Sequence, residues 1–147
     1  MKTNTSAAWG TTILRFVIGA IFIAHGALKV FSFGVAGTAA FFAQVGIPFA
    51  ALAAPLVIAL EFFGGFALVL GLFTRWIAIP LAVTMVVAIA TVHLSAGFFL
   101  PNGYEFALLV LAGTLALALQ GSGVLALDNI VWRRPTGRAA ATRAVAA

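Results

Sequence analysis

The sequence of 147 residues contains no cysteine. Catalytic thiolates, disulfides, iron–sulfur clusters and cysteine-ligated zinc are therefore excluded as functions of this chain's own side chains. Charged residues are also scarce, at 7% of the sequence, whereas a soluble domain has about 25%. With 64% hydrophobic residues and a mean hydropathy of +1.20, the chain has too few polar groups to cover a surface in water. We therefore expect lipid to contact most of its surface.

Acidic residues are the rarest charged class: three stand against eight Lys and Arg, for a formal net charge of +5. Half of the basic residues lie in the C-terminal segment, at Arg133, Arg134, Arg138 and Arg143. A basic segment beside membrane helices sets topology or contacts anionic lipid. We therefore expect the lipid bilayer as a partner, and no nucleic acid.

Four apolar stretches are long enough to cross a bilayer core, which requires about 20 helical residues. They cover approximately residues 9–31, 49–73, 76–100 and 104–124. Segments with Gly, Pro or Arg separate them. The first stretch is too long for the apolar region of a signal peptide, so we expect it to be retained. The sequence thus predicts an all-α fold, an integral membrane four-helix bundle.

The distribution of basic residues predicts the orientation of this bundle. Its domain should cover residues 9–130, between an N-terminal tail at 1–8 and a basic C-terminal tail at 131–147. Lys2, Arg75 and the basic tail fall on the same side of four spans, and the connections on the other side contain no Lys or Arg. Because positive residues stay on the cytoplasmic side, we expect both termini to be cytoplasmic.

Five ionisable side chains lie within or at the ends of the spans, where a charge costs at least about 2.5–3.5 kcal/mol. They are His25, Lys29, Glu61, His93 and Glu105. Lys29 follows His25 by four residues, so the two share one helix face. In the predicted topology all five converge on the outer half of the bundle, and their charges largely cancel. We therefore predict one buried polar site.

Arg15 and Asp128 lie nearer the cytoplasmic ends, and we predict a separate structural ion pair between them. A short internal repeat also occurs, because each half of the chain contains His, then Pro, then Glu-Phe. Such a repeat is consistent with two related halves of two spans each.

Several segments resemble signatures of the DoxX family of small membrane proteins. They are Leu14–Phe31, Glu61–Arg75, His93–Phe99, Asn102–Phe106 and Leu125–Asp128. The resemblance extends over residues 12–130 and implies a four-helix protein of a bacterial or archaeal cytoplasmic membrane. It also implies membership of an oxidoreductase complex with a partner subunit, since relatives are associated with quinol oxidases. The lack of cysteine departs from any thiol-based chemistry in that family.

These observations favour a quinone-linked oxidoreductase subunit. His25 and His93 would donate protons to the two carbonyls of a quinone, because imidazole exchanges protons near neutral pH. Glu61 and Glu105 would relay protons, and Lys29 would stabilise a negatively charged form of the ligand. Nothing in the sequence is a flavin or nicotinamide fingerprint, so electrons would come from another chain.

Other functions stay open from the sequence alone, including whether the chain is an enzyme. A transporter or small-molecule binding module would use the same charges to bind a solute, and would need to form a homo-oligomer. Two histidines on facing helices could ligate haem, but no attachment motif is present. A His and Glu metal site is equally disfavoured, and we predict no metal. The groups could also only pair with one another to fix helix register in a scaffold subunit.

Overall fold

The computed structural model describes residues 5–131, and all regular structure in this range is helical. The α-helices are α1 (Thr5–Ala27), α2 (Gly34–Gln44), α3 (Ala50–Leu70), α4 (Thr74–Ala88), α5 (Glu105–Gln120) and α6 (Asp128–Val131). A π-helical segment, Leu28–Phe33, continues α1. A second one, Ile89–His93, continues α4 and leads into the 3₁₀ turn Leu94–Ala96. The predicted all-α fold is confirmed.

Three helical runs are long and apolar enough to cross a membrane: Thr5–Gln44, which joins α1, its continuation and α2; Ala50–Leu70, which is α3; and Thr74–Ala96, which is α4 with its continuation. The fourth, α5, is apolar but has 16 residues, so its length is about 24 Å at about 1.5 Å per residue. A bilayer core is about 30 Å thick, so the span predicted at 104–124 is shorter than expected. Large exposed apolar side chains cover the outside of the bundle, as suits a membrane protein.

The structure corrects two of the predicted boundaries. The connection predicted at 32–48 contains α2, which begins at Gly34, where φ 68° and ψ 169° interrupt the preceding helix. Eleven residues are too few to be identified as a span from the sequence. Residues 5–8 belong to α1 rather than to a tail. Lys2 and the basic residues of the C-terminal tail lie outside the described residues.

The bundle consists of two helix pairs, because α1 packs along α3 and α4 packs along α5. Contacts of α3 with α4, and of α1 with α5, join the pairs into a ring. Buried side chains from all four helices form the core: Ile18, Phe22, Leu68, Ala78, Leu81, Val110 and Leu117. If the chain consists of two related halves of two spans each, the spans within each half pack together, and the observed pairs are α1 with α3 and α4 with α5.

Glycines allow α1 and α3 to approach closely. A Cβ atom on Gly26 would lie 2.6 Å from the backbone nitrogen of Phe62, and one on Gly65 would lie 2.8 Å from the carbonyl oxygen of Gly19. Small residues serve this purpose in membrane bundles, where van der Waals contact drives helix association.

Arg15 is fully buried and connects three segments at the end of the bundle where α1 begins. Its Nη1 donates to the carbonyl oxygens of Leu68, at 2.5 Å, and Val69, at 2.6 Å, and its Nη2 donates to that of Leu125. The first two carbonyls end α3, where the helix dipole is negative, so they stabilise the guanidinium charge.

The predicted direct ion pair between Arg15 and Asp128 does not form among the described residues. The carboxylate of Asp128 instead accepts from the backbone amides of Phe73, at 2.8 Å, and Thr74, at 3.2 Å. These are free donors at the start of α4, and a carboxylate stabilises that end of a helix. Arg15 and Asp128 remain close enough to interact electrostatically.

We predict that Gly26→Leu destabilises the protein by at least about 1–3 kcal/mol, because the new side chain collides with the backbone of α3. The matched control is Gly10→Leu on the same helix, since a Cβ there has nothing within 4 Å. Thermal unfolding of the detergent-purified protein, followed by circular dichroism, measures both. Equal melting temperatures for the two variants would contradict the close packing of α1 on α3.

Candidate functional site

A cavity of about 420 Å³ lies inside the bundle, and residues from α1 to α5 line it. Its wall is mostly aliphatic and aromatic, with four ionisable side chains: His25, Lys29, Glu61 and His93. These are four of the five residues that the sequence analysis assigned to one polar site. The structure therefore brings them to a common, largely apolar space.

Lys29 and Glu61 form an ion pair across α1 and α3. The Lys29 Nζ lies 2.5 Å from Glu61 Oε2, and the two side chains are 19% and 9% exposed. It is the one ion pair within 4.0 Å among residues 5–131. Pairing removes two opposite charges from water together, which is how an apolar interior tolerates them.

Both π-helical segments lie at this cavity. Lys29 belongs to the first segment, and His93 is the last residue of the second. In a π-helical turn the backbone hydrogen bonds join residues five apart, whereas in an α-helix they join residues four apart. The extra residue rotates the side chains that follow it around the helix axis. Such segments are frequent at functional sites. Here they bring a cationic group and an imidazole to the cavity wall.

The hydrogen bond of His93 defines its tautomer. Its Nδ1 lies 3.0 Å from the carbonyl oxygen of Asn102. Because a carbonyl can only accept, Nδ1 must carry the proton. In the neutral ring Nε2 then has a free lone pair, so it can accept a proton or a hydrogen bond.

His25 also lines the cavity, but it is exposed and so is not buried as the sequence predicted; its ring centroid is 6.3 Å from that of Phe106 on α5. It is close enough to Lys29, Glu61 and His93 to interact with each of them electrostatically. Two imidazoles and one ion pair thus share the cavity.

Glu105 is the one predicted site residue that does not line the cavity. Its Oε1 accepts a hydrogen bond of 2.8 Å from the backbone amide of Leu100. Glu105 is the first residue of α5, so its side chain can reach back to the preceding loop. Its carboxylate therefore stabilises that loop.

Other parts of the cavity wall were missed from the sequence. Phe41 and Phe42 of α2, with Ile47 after it, form one side. Thr84 of α4 and Thr91 of the second π-helical segment also line it, although their hydroxyls donate to backbone carbonyl oxygens three and four residues earlier in the chain. The seven-residue spacing of the two threonines, with Ala88 between them, was a signal that one face of α4 and its continuation is polar and small.

A second, more open hollow of about 900 Å³ lies at the other end of the bundle. It lies between the start of α1, the turn from α3 to α4 and the end of α5, and includes Arg75, Gln120 and Asp128. Within the described part of the chain, no group of three or more His, Asp and Glu could hold a metal ion.

The fold and site define a helical membrane protein with an ion pair and two imidazoles in an apolar cavity. The model of the DoxX family matches residues 10–94, and the chain belongs to this family. No solved structure gives a significant match.

Relatives of similar length support this membership. A Bacillus subtilis (strain 168) protein named "Putative oxidoreductase CatD" is 40% identical over 130 residues, which cover 88% of this chain and 92% of the relative. A Haemophilus influenzae (strain ATCC 51907 / DSM 11121 / KW20 / Rd) protein without a functional name is 36% identical over 125 residues, with 82% and 90% covered.

We predict that Lys29→Met lowers the free energy of unfolding by about 3–5 kcal/mol, because it leaves a buried carboxylate without its partner. The double variant Lys29→Met, Glu61→Leu should recover most of this loss, since both charges are removed. Arg75→Met is the control, because Arg75 is exposed and makes one hydrogen bond of 3.2 Å, to the Gln120 carbonyl. Thermal unfolding in detergent measures all three. A double variant less stable than Lys29→Met would contradict the pairing.

Proposed function

We propose that this protein is the quinone-binding subunit of a membrane oxidoreductase. The observation that supports this most is the combination of proton-exchanging imidazoles and an ion pair within one apolar cavity. A quinone supplies a two-electron couple whose reduction also takes up two protons at its oxygens. A site for it therefore needs an apolar space for the ring and groups that hold protons beside the oxygens.

The cavity fits such a ligand in size and lining. Its volume of about 420 Å³ falls in the range of about 300–1,000 Å³ that is usual for small-molecule sites. Aliphatic and aromatic side chains enclose the ring, and the few polar groups orient it. Phe22 and Val110, both nearly fully buried, form the inner end of the space.

Each polar residue has a distinct task in this proposal. His93 receives or delivers a proton at Nε2, while the Asn102 carbonyl holds its Nδ1–H and fixes the ring. His25 exchanges a proton with the ligand from the α1 side of the cavity. Lys29 offsets negative charge on the ligand's oxygens, and Glu61 holds the Lys29 side chain in position. Glu105, which the sequence suggested as a proton relay, has no part in this scheme because it binds the loop.

Electrons must come from another chain. The sequence contains no flavin or nicotinamide fingerprint, so we propose a partner subunit that carries the electron donor. The name of the Bacillus subtilis relative, which contains the word oxidoreductase, agrees with this assignment.

We predict that the purified protein binds a quinone and that the double variant Glu61→Gln, His93→Ala binds it at least about tenfold more weakly, which corresponds to about 1.4 kcal/mol. Glu105→Gln is the matched control, because this carboxylate lies outside the cavity and should leave affinity unchanged. Equilibrium binding in lipid nanodiscs measures all three proteins. No binding by the unmodified protein, or full binding by the double variant, would contradict the proposal and favour a transport or scaffold role.

We also propose that the protein lies in the cytoplasmic membrane of a bacterial or archaeal cell with both termini in the cytoplasm. Arg75, the second residue of α4, is exposed at the end of the bundle where α1 begins. The loop around residue 100 at the other end contains no Lys or Arg. This asymmetry follows the positive-inside rule.

Single cysteines test the orientation cleanly, because the chain has none of its own. We expect a membrane-impermeant maleimide to label Ser95→Cys in intact cells and to label Ala7→Cys only after permeabilisation. Both positions are exposed small residues at opposite ends of the bundle. The reverse pattern of labelling would show that the termini face outward.

A further inference from the structure

The cavity has one wall that is only loosely closed, formed by α2. This helix packs against α3 and the first π-helical segment, but has scarcely any contact with α4. Phe41 of α2 lines the cavity and is nevertheless 45% exposed. A lining residue with this much exposure indicates that the cavity reaches the outside of the bundle beside it.

One side of α4 has the same property. Val83 and Val87 lie four residues apart, so they share one helix face. Both line the cavity, and they are 56% and 39% exposed. The cavity therefore opens between α2 and α4, and we call this the lateral opening. Its rim of Phe41, Val83 and Val87 is entirely apolar.

The other sides of the cavity contain polar groups, and contacts between side chains or with the backbone bridge them. Between α1 and α5, His25 and Phe106 are exposed as well, and their ring centroids lie 6.3 Å apart. The Lys29–Glu61 ion pair connects α1 to α3. His93 is bound to the loop at the end of α4 through Asn102. The lateral opening is thus the exposed part of the cavity wall whose rim is entirely apolar.

We propose that the lateral opening holds the long apolar tail of a lipid-soluble quinone while the ring occupies the cavity. This inference rests on the proposed function and specifies its substrate class: a tailed quinone of the bilayer, in preference to a small water-soluble one. An apolar rim at the lipid-facing surface gives a hydrocarbon chain a continuous path into the bilayer. The same rim offers no hydrogen bond to a polar or charged solute, which would have to lose its water to pass.

The test narrows the opening without touching the polar residues. Val87→Trp places a large ring in the path of the tail, and Val86→Trp adds the same ring to the neighbouring position, which is 53% exposed and does not line the cavity. Binding is measured in lipid nanodiscs for two ligands with the same quinone ring, one with a long isoprenoid tail and one without a tail. Val87→Phe repeats the measurement with a smaller change if the Trp variant does not fold.

We expect Val87→Trp to weaken binding of the tailed quinone at least about tenfold and to leave binding of the tailless ring unchanged, with Val86→Trp like the unmodified protein. Equal effects on the two ligands, or no effect on either, would overturn the lateral opening while leaving the proposed function intact. Failure of both ligands to bind the unmodified protein would overturn the proposed function, and with it this inference.

Discussion

Lys29 and Glu61 form an ion pair in an apolar interior, and the positions of the surrounding helices depend on it. Neither charge is stable there alone, so the helices that contain them must meet at one level. Gly26 and Phe62, each next to a polar site residue in the sequence, make the close backbone contact that holds α1 against α3 there. The packing of the bundle and the chemistry of the site therefore depend on the same contact.

The other end of the bundle stabilises a buried cation differently. Arg15 is surrounded by backbone carbonyls, which supply partial negative charge without a carboxylate. The chain has three acidic residues, and each has a separate use: Glu61 pairs with Lys29, Glu105 binds a loop amide, and Asp128 caps α4. Because acidic residues are so few, backbone carbonyl oxygens take the place of a carboxylate around the buried guanidinium of Arg15.

Much of this architecture could be predicted from the sequence, because apolar length and the cost of buried charge are local and strong signals. They identified the helices and grouped His25, Lys29, Glu61 and His93, which line one cavity in the structure. The short helix α2 and the π-helical segments could not be predicted, since each depends on packing between distant parts of the chain. The pairing of Arg15 with Asp128 was wrong because charge alone does not reveal competing backbone partners. Glu105 was misplaced because the first residue of a helix can reach the loop as easily as the core.

The ion pair requires a short distance between Lys29 Nζ and the Glu61 carboxylate carbon in a lipid bilayer. Solid-state NMR of protein labelled with ¹⁵N-lysine and ¹³C-glutamate measures it through dipolar coupling. The sequence suits the method, since it contains two lysines and two glutamates, and Glu61→Gln removes the assigned carbon. If the two charges share the site, a strong coupling is present and disappears in Glu61→Gln. No coupling in the unmodified protein would show that the two charges lie apart, and would contradict the shared site.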